Sequence, residues 1–320
     1  MVNIGQNAPE FKDILGWINT DNSSLKDFSG KTIYLEFWDH TSLGCIRELS
    51  FSKKLWENYK TNGLMAIGVH SPDFEFERYM DNLQDAVDRY GIEYPVAQDN
   101  NNSTWVLYGN RYLPKRYVIS SEGDILYEMI GQGDELKIEN LIRSDLERTC
   151  NDLNPPIKKD FKKLPIFDQL SPETYMGSRE IMKLKKFTSY ALAHELIYND
   201  PGDHEENKVY LEGLWKQYDE FIENEDSVVE YFVYKYNASK VFVVMSSYLE
   251  SIKADVLMNG KYLEKGDAGD DIEWDNDGKS YVFVRFSGLY NLINKNKMQK
   301  QELKLIPREK GLQIYVISFE

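Results

Sequence analysis

The chain has 320 residues but only two cysteines, Cys45 and Cys150. Two thiols cannot frame a disulfide-stapled scaffold. Positive charge is also scarce, and the formal net charge is −15. That argues against nucleic acid and anionic membrane surfaces as main partners, because both need Lys/Arg-rich faces. No apolar run approaches the roughly 18 residues of a spanning helix, so membrane insertion is not expected. The opening Met1-Val-Asn-Ile-Gly-Gln6 lacks a basic stretch followed by an apolar one. No secretory leader is therefore read: the chain is expected to be cytoplasmic as written, and extracytoplasmic if it is a trimmed form. There is no glycine-rich phosphate loop and no Gly-x-Ser-x-Gly elbow. The four histidines and two cysteines show no metal-ligand spacing, so neither a zinc site nor a cofactor is expected.

What is present is globular. Hydrophobic residues make up 42% and charged residues 28%, which rules out global disorder. The length suggests two domains. Aromatics reach 13%, with 22 tyrosines, as in β-rich or carbohydrate-contacting proteins.

Residues 1–150 alternate strand and helix patterns. Thr32–Trp38 and Leu64–His70 are continuous apolar runs and read as buried strands. Cys45–Tyr59 and Phe74–Tyr90 carry helical spacing, with Gly91 as a stop. Arg116–Ser120 and Asp124–Ile130 flank a turn at Ser121-Glu-Gly123, and Asp134 is placed to cap a last helix. The order is that of an α/β domain with a central sheet. Residues 151–171, rich in proline and lysine, read as a linker. Residues 172–320 run strand after strand: Val229–Lys235, Lys240–Tyr248, Ser251–Met258, Ser280–Phe286, Tyr290–Asn294, Glu302–Ile306 and Leu312–Phe319. Met258-Asn-Gly-Lys261 signals a two-residue hairpin. Together these predict an all-β sandwich, while residues 173–225 receive no clear assignment.

The stretch with chemistry is Tyr34-Leu-Glu-Phe-Trp-Asp-His-Thr-Ser-Leu-Gly-Cys-Ile-Arg47. A buried strand ends at Trp38, a polar loop follows, and Cys45 opens a helix. Free N–H groups and the positive end of the helix dipole favour thiolate there. The thiol pKa is therefore expected to fall, with help from Arg47. His40 reads either as an imidazolium stabilising that thiolate or as a solvated loop residue. Glu36 reads either as a proton acceptor for Cys45 or as a buried carboxylate bonded to a neighbour. Cys150, at the end of the last helix, reads as incidental. The acidic stretch Asp267–Gly278 fails EF-hand spacing and reads as a solvated turn.

On these residues the chain resembles the thioredoxin-like fold, in which a strand ending Phe-Trp leads to Cys-x-x-Cys at a helix start. Glu36 falls where thioredoxins keep a buried carboxylate. Pro114, in Tyr112-Leu-Pro-Lys-Arg116, falls where they have a cis-proline beside the site. Phe11–Thr20, Gly68–Glu77, Tyr94–Asn101, Asn110–Pro114 and Gly131–Asp134 resemble the soluble part of DipZ-type proteins. In that family a redoxin domain precedes a β-sandwich similar to a carbohydrate-binding module (jelly-roll or galactose-binding-like). Ser171–Gly177, Leu211–Trp215 and Gly311–Val316 resemble that second half.

The chain departs from the family at one position, reading Ser42-Leu-Gly-Cys45 where the pattern has two cysteines. Serine is a far weaker nucleophile and forms no disulfide. The resemblance thus implies thiol redox chemistry with Cys45 as the sole site thiol, Ser42, Glu36 and Pro114 around it, and Trp38, His40, Thr41 and Arg47 in support. It implies a protein or small-molecule thiol or disulfide reductant as partner. An alternative is a peroxiredoxin-like peroxidase, in which Ser42 would serve the peroxidatic Cys45 and Arg111 or Arg116 would assist. A third reading is a redox-degenerate module that binds a protein or glycan through its sandwich.

Overall fold

A computed structural model of the chain describes residues 2–21, 24–157, 170–179, 195–226 and 230–320. The chain divides into two compact units, 1–164 and 165–320. Most of the linker stretch, residues 158–169, lies outside the described residues.

The first unit runs β1 (Trp17–Ile18), β2 (Thr32–Trp38), α1 (Leu43–Tyr59), β3 (Leu64–His70), α2 (Met80–Tyr90), β4 (Val96–Gln98), α3 (Ser103–Leu107), β5 (Lys115–Ile119), β6 (Ile125–Ile130) and α4 (Glu135–Leu146). The strands form one six-stranded sheet in the order β1-β4-β3-β2-β5-β6. Pairs β2–β3 and β3–β4 are parallel; β2–β5 and β5–β6 are antiparallel. Every residue of β2 and β3 is buried, which explains their unbroken apolar sequence. The two-residue pleat divides them between two cores. Ile33, Leu35, Phe37, Met65, Ile67 and Val69 join one cluster. Tyr34, Trp38, Leu64 and Ala66 join the other, with Leu49 and Leu55 of α1 and Ile138 and Ile142 of α4. Positions 36, 38, 68 and 70 therefore share the face that α1 covers.

Three local expectations change. Helix α1 begins at Leu43, so Cys45 is its third residue. The helical pattern over Phe74–Tyr90 breaks at Tyr79, whose backbone is extended; a 3-10 turn, Glu75–Arg78, precedes α2. Asp134 does not cap α4, because its carboxylate accepts instead from the Tyr127 hydroxyl at 2.6 Å.

The second unit is all β: β7 (Thr174–Tyr175), β8 (Glu195–Tyr198), β9 (Val209–Gln217), β10 (Ile222–Asn224), β11 (Tyr231–Ser247), β12 (Ile252–Met258), β13 (Lys261–Tyr262), β14 (Ile272–Trp274), β15 (Ser280–Val284), β16 (Gly288–Pro307) and β17 (Leu312–Phe319). The strands expected at Val229–Lys235 and Lys240–Tyr248 are one strand, β11, bent at a register shift between Ala238 and Lys240. Val229 itself lies outside the described residues. Likewise Tyr290–Asn294 and Glu302–Ile306 are parts of one strand, β16. Its polar centre pairs Gln299, Lys300 and Gln301 with Ala238, Asn237 and Tyr236. Ladder bonds use the backbone, so a polar run can continue a strand that leaves the core. Because β11 pairs with β9 at one end and β17 at the other, the strands connect as one sheet of eleven around one core. The Asn259–Gly260 turn, both residues at positive φ, joins β12 to β13. Trp215, Tyr234, Tyr236 and Tyr290 are fully buried, so much of the aromatic content fills this core.

Candidate active site

The site forms where β2 leaves the sheet. Asp39 Oδ1 accepts the backbone N–H groups of Thr41 at 3.0 Å and Ser42 at 2.5 Å. That carboxylate fixes the loop and turns it into α1, with Ser42 at the N-cap position. Thr41 is buried beside it. One turn later Cys45 points inward and is 1% exposed.

Burial decides the thiol's state. Desolvation first, then the charge of Asp39, pushes the Cys45 pKa well above the ordinary thiol range. The Ser42 hydroxyl bond opposes this, and Glu36 adds to it. The expected fall in pKa is thus corrected: the helix terminus favours thiolate, but loss of water and a carboxylate neighbour outweigh it. Arg47, half-buried along α1, does not reverse the balance.

Glu36 is 2% exposed. Its Oε1 accepts from Tyr94 at 2.5 Å, and its Oε2 from Ser52 at 2.6 Å and Tyr34 at 3.4 Å. Burial raises its pKa while these hydroxyls hold it down. It is a bonded buried carboxylate whose charge is felt at the Cys45 sulfur.

Around the helix start, the Leu113–Pro114 peptide is cis. Pro114 Cδ and Gln132 Nε2 each lie 3.4 Å from where a side chain on Gly44 would begin, and Ser42 Oγ lies at 3.6 Å. Ser42, Gly44 and Pro114 are therefore brought together beside Cys45. Arg116 does not face the sulfur. Its guanidinium donates to Glu48 at 2.5 Å and to the carbonyls of Gly131 and Gly133. Arg111 is exposed.

His40 is 1% exposed and neutral, its pKa lowered to about 3 by burial and then by Arg89. Both readings of it, imidazolium and solvated loop residue, are corrected by that burial. It faces His70, at the end of β3, with Nδ1 3.0 Å from His70 Nε2. Trp38 packs its ring edge-on to His70, with centroids 5.5 Å apart. A Cβ on Gly68 would lie 2.8 Å from Trp38 Nε1, so that position needs glycine.

Sequence reasoning missed Asp39, Ser52, Glu48, His70, Glu77, Tyr94 and Gln132. Their only signal was polarity within or beside apolar runs. Cys150 lies past α4, where Asn62 donates to its sulfur at 3.5 Å. In the acidic stretch of the second unit, Asp275 accepts the N–H groups of Asp277 and Lys279 and pairs with Arg308.

Residues 4–128 match the model of the AhpC/TSA family, and residues 171–319 match that of the thioredoxin like C-terminal domain. The first unit is an AhpC/TSA-type thioredoxin-like domain. DipZ of Mycobacterium bovis is 32% identical over 217 residues, covering 65% of this chain and 30% of that protein. The chain thus spans 30% of the DipZ length. The thiol-disulfide oxidoreductase ResA of Bacillus anthracis is 26% identical over 140 residues, covering 44% of this chain and 77% of ResA. A crystal structure of a thiol-disulfide isomerase from Corynebacterium glutamicum aligns at 25% identity over 44% of this chain and 97% of its own, with a TM-score of 0.40. No helix among the described residues is long and apolar enough to cross a membrane.

Proposed function

We propose that the chain is a thioredoxin-like thiol-redox module working with a single site thiol. The observation that carries this is the pairing of an N-cap hydroxyl, Ser42, with a buried, protonated Cys45. Ser42 cannot attack a disulfide, so the intramolecular dithiol cycle is absent. Cys45 reacts only when partner binding uncovers it. Cys45 then gives up its proton, and its thiolate attacks a partner disulfide; a mixed disulfide forms and the partner's other sulfur leaves as thiolate, which takes up a proton. An external thiol attacks the mixed disulfide and frees Cys45 again. Relatives named as thiol-disulfide oxidoreductases support a protein or small thiol as that partner. The peroxidase reading fares worse, because both reactions need the thiolate and peroxide brings no partner surface to uncover the buried Cys45.

The test is labelling of native Cys45 with a thiolate-selective reagent, in a Cys150→Ser background. Labelling limited by opening of the domain, with an apparent pKa above that of free cysteine, is expected. Labelling as fast as free cysteine would overturn the reading. Ser42→Cys should gain insulin-type disulfide reductase turnover that the parent chain lacks; failure of that gain would count against a thioredoxin-type site.

A further inference from the structure

We propose that His40, His70 and Glu77 form a binding site for a first-row divalent cation, with zinc fitting best. The three come from separate elements: the loop after β2, the end of β3 and the 3-10 turn Glu75–Arg78. His40 Nδ1 lies 3.0 Å from His70 Nε2 and 3.7 Å from Glu77 Oε1, and the three ligand atoms all lie within 4.8 Å of one another. Zn–N bonds of about 2.0–2.1 Å in a tetrahedron place ligand atoms about 3.3–3.4 Å apart. The two short separations bracket that edge.

A second observation points to a cation. All three side chains are at most 1% exposed. Glu77 Oε2 is held by the N–H groups of Asp73 at 2.7 Å and Phe74 at 2.9 Å. Its Oε1 is turned toward the two imidazoles and has no hydrogen-bond donor. A buried carboxylate oxygen without a donor is costly. A proton shared between the two rings satisfies one nitrogen pair and leaves that oxygen unmatched. A divalent cation at the centre engages all three atoms and supplies the missing positive charge. Two imidazoles and one carboxylate form a nitrogen and oxygen set that suits zinc. Because the ligands are sealed from solvent, the ion is expected to enter as the domain folds. This proposal stands apart from the thiol reading, since Cys45 is not among the ligands.

The full chain is unfolded with a chelator, refolded with or without zinc, desalted, and its metal content measured. About one zinc per chain is expected, matching one three-ligand site. Glu77→Gln keeps an acceptor for the Asp73 and Phe74 N–H groups. It should retain the near-ultraviolet circular dichroism of the parent and lose at least nine-tenths of the zinc. Cobalt refolded into the unaltered chain should give the intense visible bands of a tetrahedral nitrogen and oxygen site, a readout independent of any variant. A folded parent chain without zinc and without cobalt bands would overturn the proposal. So would zinc retained in Glu77→Gln but lost in Cys45→Ser, which would place the ion at the thiol.

Discussion

Removing one hydroxyl tests how the carboxylate beneath the site is held. Glu36 accepts from Tyr94 at 2.5 Å, from Ser52 at 2.6 Å and from Tyr34 at 3.4 Å, with almost no exposure to water. Tyr94→Phe deletes the shortest of these bonds and leaves the ring in place. A hydrogen bond to a charged group is worth about 1.5–3 kcal/mol. For a unit of this size, 1 kcal/mol moves the melting midpoint by about 2–4 °C, so a loss of about 3–12 °C is expected with Glu36 ionised. The pH dependence gives the sharper test. Burial raises the folded-state pKa of Glu36 above its unfolded value. Its contribution to stability is therefore fully present below the unfolded pKa and is lost as pH rises through the folded one. The Tyr94 hydroxyl favours the carboxylate, so its removal extends that loss to higher pH. The variant's deficit should be smallest in acid and grow toward alkaline pH. Urea unfolding of parent and variant, followed by alkylation of Cys45 in a Cys150→Ser background, reports on this unit alone. Comparing the two chains cancels the other titrating groups. A deficit that does not change with pH, or one below about 0.5 kcal/mol throughout, would refute the assignment of Tyr94 as a donor to the Glu36 carboxylate.

Two further outcomes follow from the all-β unit. His204 bonds Asp200 and Glu302, each at 2.7 Å. Burial pulls its pKa down, but these partners outweigh that and raise it. Its stabilisation should be present below the unfolded value of about 6.5 and fade as pH rises through the folded one. His204→Gln should flatten that part of the unfolding profile, and an unchanged slope would contradict the ion-pair reading. Gly213 lies in β9 at φ +89°, and a Cβ there would stand 2.6 Å from Glu230 Cγ. Gly213→Ala should therefore cost about 1–3 kcal/mol in a urea titration of that unit, and a neutral result would contradict both the clash with Glu230 and the strain of a side chain at positive φ.

The legible parts of the fold were those in which one residue type repeats one physical cue. Thr32–Trp38 and Leu64–His70 read as central strands because both faces of each are covered. Gly91, in the left-handed conformation, ends α2 where the pattern stopped. Strand β16 was misdivided because Lys295–Gln301 is largely polar, and polarity hides a strand paired through its backbone; β11 was split near its register shift between Ala238 and Lys240. The turn before α2 was merged with it because the break at Tyr79 lies in the backbone, which the apolar spacing does not record.

For the site, the sequence by itself determined which atoms are available: one thiol near a helix start, a hydroxyl three residues before it, and a carboxylate inside a strand. Ser42 in place of cysteine settles that no disulfide closes there, since that depends on composition alone. Only the tertiary structure decided the state of those atoms. Cys45 was expected to be acidified by the helix, yet packing removed its water and placed Asp39 beside it, which keeps the proton on sulfur. His40, His70 and Glu77 show no ligand spacing along the chain, because parallel pairing of β2 with β3 brings together residues thirty apart. Desolvation and long-range proximity both depend on what the rest of the chain packs against a residue, and no local pattern contains that.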